Sequence, residues 1–460
     1  MARHPFCLEP ASVLRRYIPG LALAASFSAL SALFVLGNSA AYEGILLQMG
    51  IHPFYFPFLD THGILATAEC HREGIDVLVR NPCDVLGRTL DYSPFWLITA
   101  AFGIGTRLTM KAGLSLDLLF LFWVFFLPPA RSWAAVAVMT TALLSSAVAL
   151  ALERANLDLA VFVIALVAAH WSLRGPTWRI LGYGLITLAA LVKYYPGIMF
   201  VVALRERLRF LLPLAVALLA VSTLFVWIES DALARALRNI ESGTRFTMSF
   251  GAVNLPGGLL HLLAPGAERL TPIAELICAA IAAVYALATV RLGEMHDALS
   301  ALPLRSRTLM LMGCVLILGC FFAAQNAPYR GIYFLLILPG LTGLWDKASS
   351  AMARRRLVLL TGAILFLMWD QFFQLALNQG IAAFGWGTTL PRFAFWFLRE
   401  TAWWWVVSSL LAILLDLLDL PVTGRASRLG DLALPNAVVG IGGKAVVTAN
   451  APRRTEAPNA

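Results

Sequence analysis

Charged side chains are scarce in this sequence. Asp, Glu, Lys and Arg make up 13% of its 460 residues, about half the share of an ordinary soluble domain. That shortage excludes a disordered chain, which stays solvated through charge, and argues against an ordinary soluble enzyme. Cysteine is sparse as well. Six residues without a Cys-X-X-Cys pair exclude a disulfide scaffold and leave no zinc signature. No basic run interleaves with aromatics, so the net charge of +9 does not describe a nucleic-acid surface. No repeat with a period of about 20–50 residues is present.

What the chain has in quantity is apolar side chains, 60% of the total, with a mean hydropathy of +0.78. Apolar segments lie near 17–37, 114–127, 134–152, 159–172, 180–192, 196–204, 210–228, 271–290, 308–324, 331–345, 357–375 and 401–418. They predict an all-α polytopic membrane protein of about 11–13 transmembrane helices, several shorter than the roughly 20 residues of a simple span. Residues 1–16, with Arg3, Arg15 and Arg16, form a cytoplasmic amino terminus before an uncleaved anchor. Residues 17–420 form the membrane domain, with outer loops at 38–113, 229–270 and 376–400, the first carrying short interfacial helices. Residues 421–460, rich in Gly, Ala and Pro, are expected to form a mobile cytoplasmic tail. Basic residues fall mainly on the inner side, 21 of 35, in either of two threadings of the chain. The threading that breaks 180–204 at Lys193-Tyr194-Tyr195-Pro196 avoids placing an ammonium at the bilayer centre, which costs at least a few kcal/mol. Trp403-Trp404-Trp405 is expected in an interfacial aromatic belt.

The remaining polar residues concentrate at a few turns. Asp60 and His62 follow the apolar run 54–59. A carboxylate there is partly desolvated and becomes a better proton acceptor toward a hydroxyl; a helix cap or a solvated loop acid is the competing reading. Cys70 and Cys83 share the loop and can pair as a disulfide if it faces an oxidising compartment. Glu153, Arg154, Asn156 and Asp158 set three charges and an amide between two apolar segments, where ion pairing within the turn explains them equally. Lys193, beside Tyr194 and Tyr195, is a lone cation suited to a lipid phosphate or to snorkelling toward a headgroup. Arg245, Asn254, Tyr329 and Arg330 offer further phosphate or hydroxyl contacts.

The order of these elements resembles the GT-C superfamily of polyprenyl-phosphate-sugar-dependent glycosyltransferases. Within it the sequence is most similar to glycosyltransferase family 87, the DUF2029 group that includes mycobacterial mannosyltransferases, over residues 15–420. Asp60 stands where that family has its first-loop catalytic Asp. Gly74-Ile75-Asp76 is similar to its Gly-X-Asp-Pro-Tyr turn, with Val77 and Leu78 in place of Pro-Tyr. Tyr92-Ser93-Pro94 is similar to a Tyr-Pro-Pro motif that has lost its middle proline. Glu153 to Asn156 matches a Gly-Gln-X-Asn motif through Asn156 and the polar character of Glu153 and Arg154. Leu191-Val192-Lys193-Tyr194-Tyr195-Pro196 matches a Leu-X-Lys-X-X-Pro element.

The resemblance implies a GT-C-like bundle and an inverting hexosyltransferase of mannosyl type, with Asp60 as general base. Lys193, Tyr194, Tyr195, Glu153, Arg154, Asn156, Arg245, Asn254, Tyr329, Arg330 and His62 are then expected to meet the substrates. No metal and no cofactor beyond the polyprenyl-phosphate sugar donor is expected. The expected partners are membrane lipids, that donor and a glycan or glycolipid acceptor, without nucleic acid. The expected place is a bacterial inner membrane, with the site facing the periplasm. The competing readings are a transporter or flippase of a lipid-linked sugar, and an O-antigen ligase or polymerase.

Overall fold

The structure, a computed structural model, describes residues 10–418 except 55, 241–244, 248, 294, 349 and 385–386. The expected tail at 421–460 lies outside the described residues. Helix α1 (Pro10–Val35) leads through a turn, where the Asn38 side chain accepts from the Ala41 N–H, into α2 (Ser39–Gln48). Next come α3 (Leu59–Arg72), 3-10 segments at Pro94–Phe102 and Thr106–Leu108, and α4 (Thr109–Val124). Then follow α5 (Trp133–Leu143), α6 (Ser146–Arg154), α7 (Asp158–Trp171) and α8 (Pro176–Val192). A 3-10 segment, Tyr195–Arg205, joins α8 to α9 (Leu208–Asn239). The second half holds α10 (Asn254–Leu263), α11 (Thr271–Leu292), α12 (His296–Ser300) and α13 (Leu304–Ala323). A 3-10 turn, Pro328–Tyr333, precedes α14 (Phe334–Trp345), α15 (Ala351–Met368), α16 (Asp370–Phe384) and α17 (Thr389–Leu418). Among the described residues there is no strand, only one antiparallel bridge between Phe250 and Asn326.

The chain is an all-α, multi-pass membrane protein. Among the described residues α1, α9, α11, α13 and α17 are long and apolar enough to cross a bilayer. The pairs α5–α6, bent by 42°, and α15–α16, bent by 69°, raise the number to seven if each pair is one span. Helices α7 and α8 have 14 and 17 residues. At about 1.5 Å per residue they fall short of a hydrocarbon core roughly 30 Å thick. Short helices of this kind persist in a membrane where protein covers their ends, and the polar ends of α7 and α8 meet inside the bundle.

Burial separates two kinds of apolar helix. Helix α13 is buried over most of its length, from Leu309 through Leu318, and α14 packs beside it. Their contact is close because Gly340 faces the Met310 side chain and Gly313 faces Ile337, the small-residue packing typical of helices in lipid. Helix α9 is equally apolar, yet Leu212, Val216, Leu219 and Leu224 are exposed. An apolar helix without protein around it has hydrocarbon as its solvent.

Two features depart from expectation. Trp403 and Trp404 are buried, with Trp403 stacked on Phe250 at 4.2 Å. They belong to the core and not to an interfacial belt, because α17 turns them toward α13. The stretch 376–400 is also largely helical. It completes α16 and begins α17, where Arg399 and Glu400 pair with each other in full burial.

The first loop is closed by a Cys70–Cys83 disulfide. It ties the end of α3 to the segment carrying Asp84 and Arg88. Six cysteines in the chain less these two leave four thiols. Unfolded, unreduced protein is therefore expected to take up four alkyl groups by mass spectrometry, and six only after reduction. The Cys70→Ser/Cys83→Ser variant is expected to lose about 2–4 kcal/mol of stability.

Candidate active site

The site grows from the turn between α6 and α7. Helix α6 ends because Ala155 takes a left-handed conformation, φ 41°. The Asn156 side-chain oxygen Oδ1 then accepts from the Asp158 N–H at 2.9 Å and opens α7. Phe58, also left-handed with φ 73°, precedes the first residue of α3. These are the two non-glycine residues with positive φ among the described residues, a conformation costing roughly 1–3 kcal/mol each when a side chain is present. They face each other. The Phe58 N–H donates to the Glu153 carbonyl at 2.6 Å, and the Thr61 hydroxyl donates to the Ala155 carbonyl at 2.6 Å. Two strained turns locked together bring Asp60 against Asn156.

The Asn156 side chain joins two charge clusters. Its amide donates to Asp60 Oδ2 at 2.6 Å, and its carbonyl accepts from Lys193 Nζ at 3.1 Å. On the first side, Arg88 donates to Asp84 through Nε and Nη2 at 2.9 and 3.0 Å. The same guanidinium donates to the Leu59 carbonyl at 2.9 Å and reaches Asp60 Oδ1 at 3.3 Å. On the second side, Asp158 is fully buried and gathers three partners. Lys193 Nζ lies at 2.6 Å, the Tyr195 hydroxyl at 2.5 Å and Arg330 Nε at 3.1 Å. Tyr195 also hydrogen-bonds Tyr333, and the Arg330 guanidinium stands 4.8 Å over the Tyr195 ring. Tyr92, Tyr195 and Tyr329 surround Lys193 with rings at 5.4, 5.8 and 6.0 Å. Helix α8 stops at Val192 and Lys193 is extended (φ −150°, ψ 116°), so its side chain turns into the bundle, 6% exposed, instead of toward a lipid surface.

The loop acids carry distinct electrostatics. Burial disfavours the charge of Asp84, but the hydrogen bonds and charge of Arg88 outweigh it and hold its carboxyl below the usual range. Hydrogen bonds from the Thr106 side chain and backbone hold Glu69 low. Burial pushes Asp91 up to about 6, against the pull of a backbone hydrogen bond and of Arg88 and Lys193. Burial also lowers His62, against the opposing charge of Asp84. His62 pairs with Thr109 at 3.1 Å and packs on Phe56; its Nε2 has no partner among the described residues.

Other anticipated residues sit nearby or elsewhere. Arg154 lies 2.9 Å from Glu153 and donates to the His52 carbonyl at 3.3 Å. Glu153 lies on the wall of an apolar cavity of about 590 Å³, formed with Leu30, Phe34, Leu46, Leu114 and Ala149. Tyr194 donates to the Tyr92 carbonyl at 3.2 Å and so holds the loop against α8. Arg245 and Asn254 belong to a second polar cluster. The Arg245 carbonyl accepts from Trp396, and Asn254 bonds Ser249 and Gln325. Neither is hydrogen-bonded to the Asp60 or Lys193 side chains. Cys70, Glu73 and Cys83 are spaced for a metal ion, but the two sulfurs are bonded to each other.

Arg88 and Tyr333 are members of the site that the sequence did not single out, and Tyr92 entered only through its Tyr-X-Pro motif. Arg88 had a usable signal: it stands four residues after Asp84 in a cysteine-tethered loop. Tyr333 had none, because a tyrosine entering an apolar helix looks like core.

No family model and no curated protein sequence matches the chain. Among solved structures, the chain is similar to the crystal structure of ArnT from Cupriavidus metallidurans in the apo state. The two are 15% identical, with 85% of this chain and 78% of that one covered and a TM-score of 0.34. A likeness this distant carries no residue and no activity across.

Two predictions rest on the geometry. Asp158→Asn leaves Lys193 and Arg330 without their shared carboxylate, whereas Lys193→Met leaves the Arg330–Asp158 pair intact. Asp158→Asn is therefore expected to lose about 3–5 kcal/mol and Lys193→Met distinctly less, read as thermal stability in detergent. Equal losses would contradict the shared pairing. Asp91 gives a pH dependence. With its folded pKa raised, the folded protein keeps a proton that the unfolded chain releases between about pH 4 and 6, so stability falls as pH rises through that window. Asp91→Asn is expected to be more stable than wild type at pH 8, by on the order of 2 kcal/mol, and no different at pH 4.

Proposed function

We propose that this protein is an integral-membrane glycosyltransferase of the GT-C kind, moving a sugar from a polyprenyl-phosphate donor to an acceptor hydroxyl. The observation that carries the reading is the Asn156 bridge, which holds the Asp60 carboxylate at one end of its amide and the Lys193 ammonium at the other. Asp60 takes the proton of the acceptor hydroxyl. The acceptor oxygen attacks the anomeric carbon, the bond from that carbon to the phosphate oxygen breaks, and the anomeric centre inverts. The polyprenyl phosphate departs with the negative charge. Lys193 and Arg330 together face one carboxylate, Asp158, so one positive charge remains for that phosphate. Lys193 has three N–H donors, of which Asp158 and Asn156 use two.

The apolar cavity beside Glu153 supports a lipid-borne substrate, since hydrocarbon is the group such walls accept. The mannosyl-type reading rests on the Lys193–Pro196 element and the first-loop Asp. The inner-membrane placement with the site facing the periplasm rests on the basic inner loops, and the disulfide is consistent with it.

The test is transfer from labelled polyprenyl-phosphate sugars in proteoliposomes. Wild type is expected to form a glycosylated product, and Asp60→Asn to lower turnover by about 10²–10⁴-fold with donor retention unchanged. Undiminished turnover in that variant removes Asp60 as the base. Donor crossing between leaflets without any product favours the transporter reading, for which the two bent helix pairs are the supporting feature.

A further inference from the structure

The far end of the bundle holds a second crevice, of about 200 Å³. Its walls come from the starts of α5 and α13 and the end of α14. Those same helices reach the Asp60–Lys193 cluster at their other ends, through α6 and through the Pro328–Tyr333 turn. The crevice and the candidate active site therefore lie at opposite ends of the molecule.

Four features give the crevice its chemistry. Two helix starts line it, Ser132 and Ala135 of α5 and Pro303, Arg305 and Ser306 of α13. The α5 start is capped by Ser132, whose hydroxyl accepts from the Ala135 N–H, whereas the α13 start has no side-chain cap; both present the positive end of a helix dipole. Two guanidiniums line it as well. Arg131 is exposed at the rim, and half-buried Arg305 uses one of its five N–H donors on the Phe126 carbonyl. The Arg131 carbonyl in turn accepts from Arg15 at 3.2 Å, which brings the basic start of α1 to the same place. Ser306 is only 9% exposed and lines the crevice, and its hydroxyl has no hydrogen-bond partner among the described residues. That hydroxyl is not sealed off from the crevice, so it is free to donate to a ligand there. One acid is present, Asp346, exposed at the end of α14. One carboxylate against two guanidiniums leaves the crevice positive.

We propose that this crevice binds phosphate, and that its occupant is the phosphodiester headgroup of an anionic membrane lipid in the leaflet opposite the candidate active site. The guanidinium forks match phosphate oxygens, and Ser306 supplies the donor at the base. Basic pockets between helices at a membrane surface select anionic headgroups in this way. The apolar, lipid-exposed helices around the bundle bring such headgroups to the rim at high local concentration.

The test uses the full chain in nanodiscs of phosphatidylcholine with and without phosphatidylglycerol. Lipid carried through purification is counted by native mass spectrometry, and thermal stability is followed in parallel. Wild type is expected to retain phosphatidylglycerol over phosphatidylcholine. Arg131→Gln and Arg305→Gln are each expected to reduce that retention about fivefold. Ser306→Leu, which fills the crevice and leaves both charges in place, is expected to abolish the preference. It carries the test if the arginine variants fail to fold. Inorganic phosphate supplies the other arm. If it stabilises wild type but not Ser306→Leu while phosphatidylglycerol does neither, the site takes free phosphate, and the phosphate chemistry stands. Equal phosphatidylglycerol retention by wild type and Ser306→Leu, with no response to phosphate, overturns the site.

Discussion

The buried carboxylate of Asp158 organises this molecule. It is the first residue of α7, it has no access to solvent, and its partners arrive from three other places: Lys193 after α8, Tyr195 in the following 3-10 segment, and Arg330 before α14. A lone carboxylate in such surroundings is prohibitively unstable, and so is either cation without it. The pairing therefore requires α7, the α8 break and the α13–α14 connection to meet in one arrangement. Helices of 14 and 17 residues, too short to span alone, are held by this meeting of their polar ends.

From Asp158 the constraint passes outward through Asn156 to the first loop. Asn156 spends its carbonyl on Lys193 and the Asp158 N–H, and its amide on Asp60. The loop is pinned from its own side by Arg88 and the Cys70–Cys83 link. Asp60 is thus fixed by two independent supports, one from the membrane bundle and one from the loop. The left-handed Phe58 and Ala155 lie where these supports meet. Backbone strain is thus concentrated where the two supports of Asp60 meet.

An apolar cavity opens beside Glu153, next to the strained turn; on the proposed reading it is the place for the lipid part of the donor. Around the bundle, α9 and α11 turn apolar side chains outward. The protein therefore has hydrocarbon on its flanks, with a cluster of paired acids and cations at one end and arginines in excess at the crevice of the other.

Composition and periodicity determined the solvent of this protein and the class of its fold. A chain with so little charge and such long apolar runs has hydrocarbon for its surroundings, and backbone satisfaction in hydrocarbon requires helices. The break at Lys193–Pro196 and the polar Glu153–Asp158 turn were also legible, because a cation or an acid inside an apolar run has few places to go. Partnership was not legible. Nothing local distinguishes Lys193 snorkelling to a headgroup from Lys193 paired with Asp158, 35 positions away. Arg88 resembled any loop cation, Tyr333 resembled core, and Trp403 resembled a belt residue until α17 turned it onto Phe250. Arg245 and Asn254 carry suitable chemistry but fold into a different polar cluster. Residue type sets what a side chain is able to do. Which groups stand within about 3 Å of one another is set by helix packing over long sequence separations, and only the tertiary structure decided that.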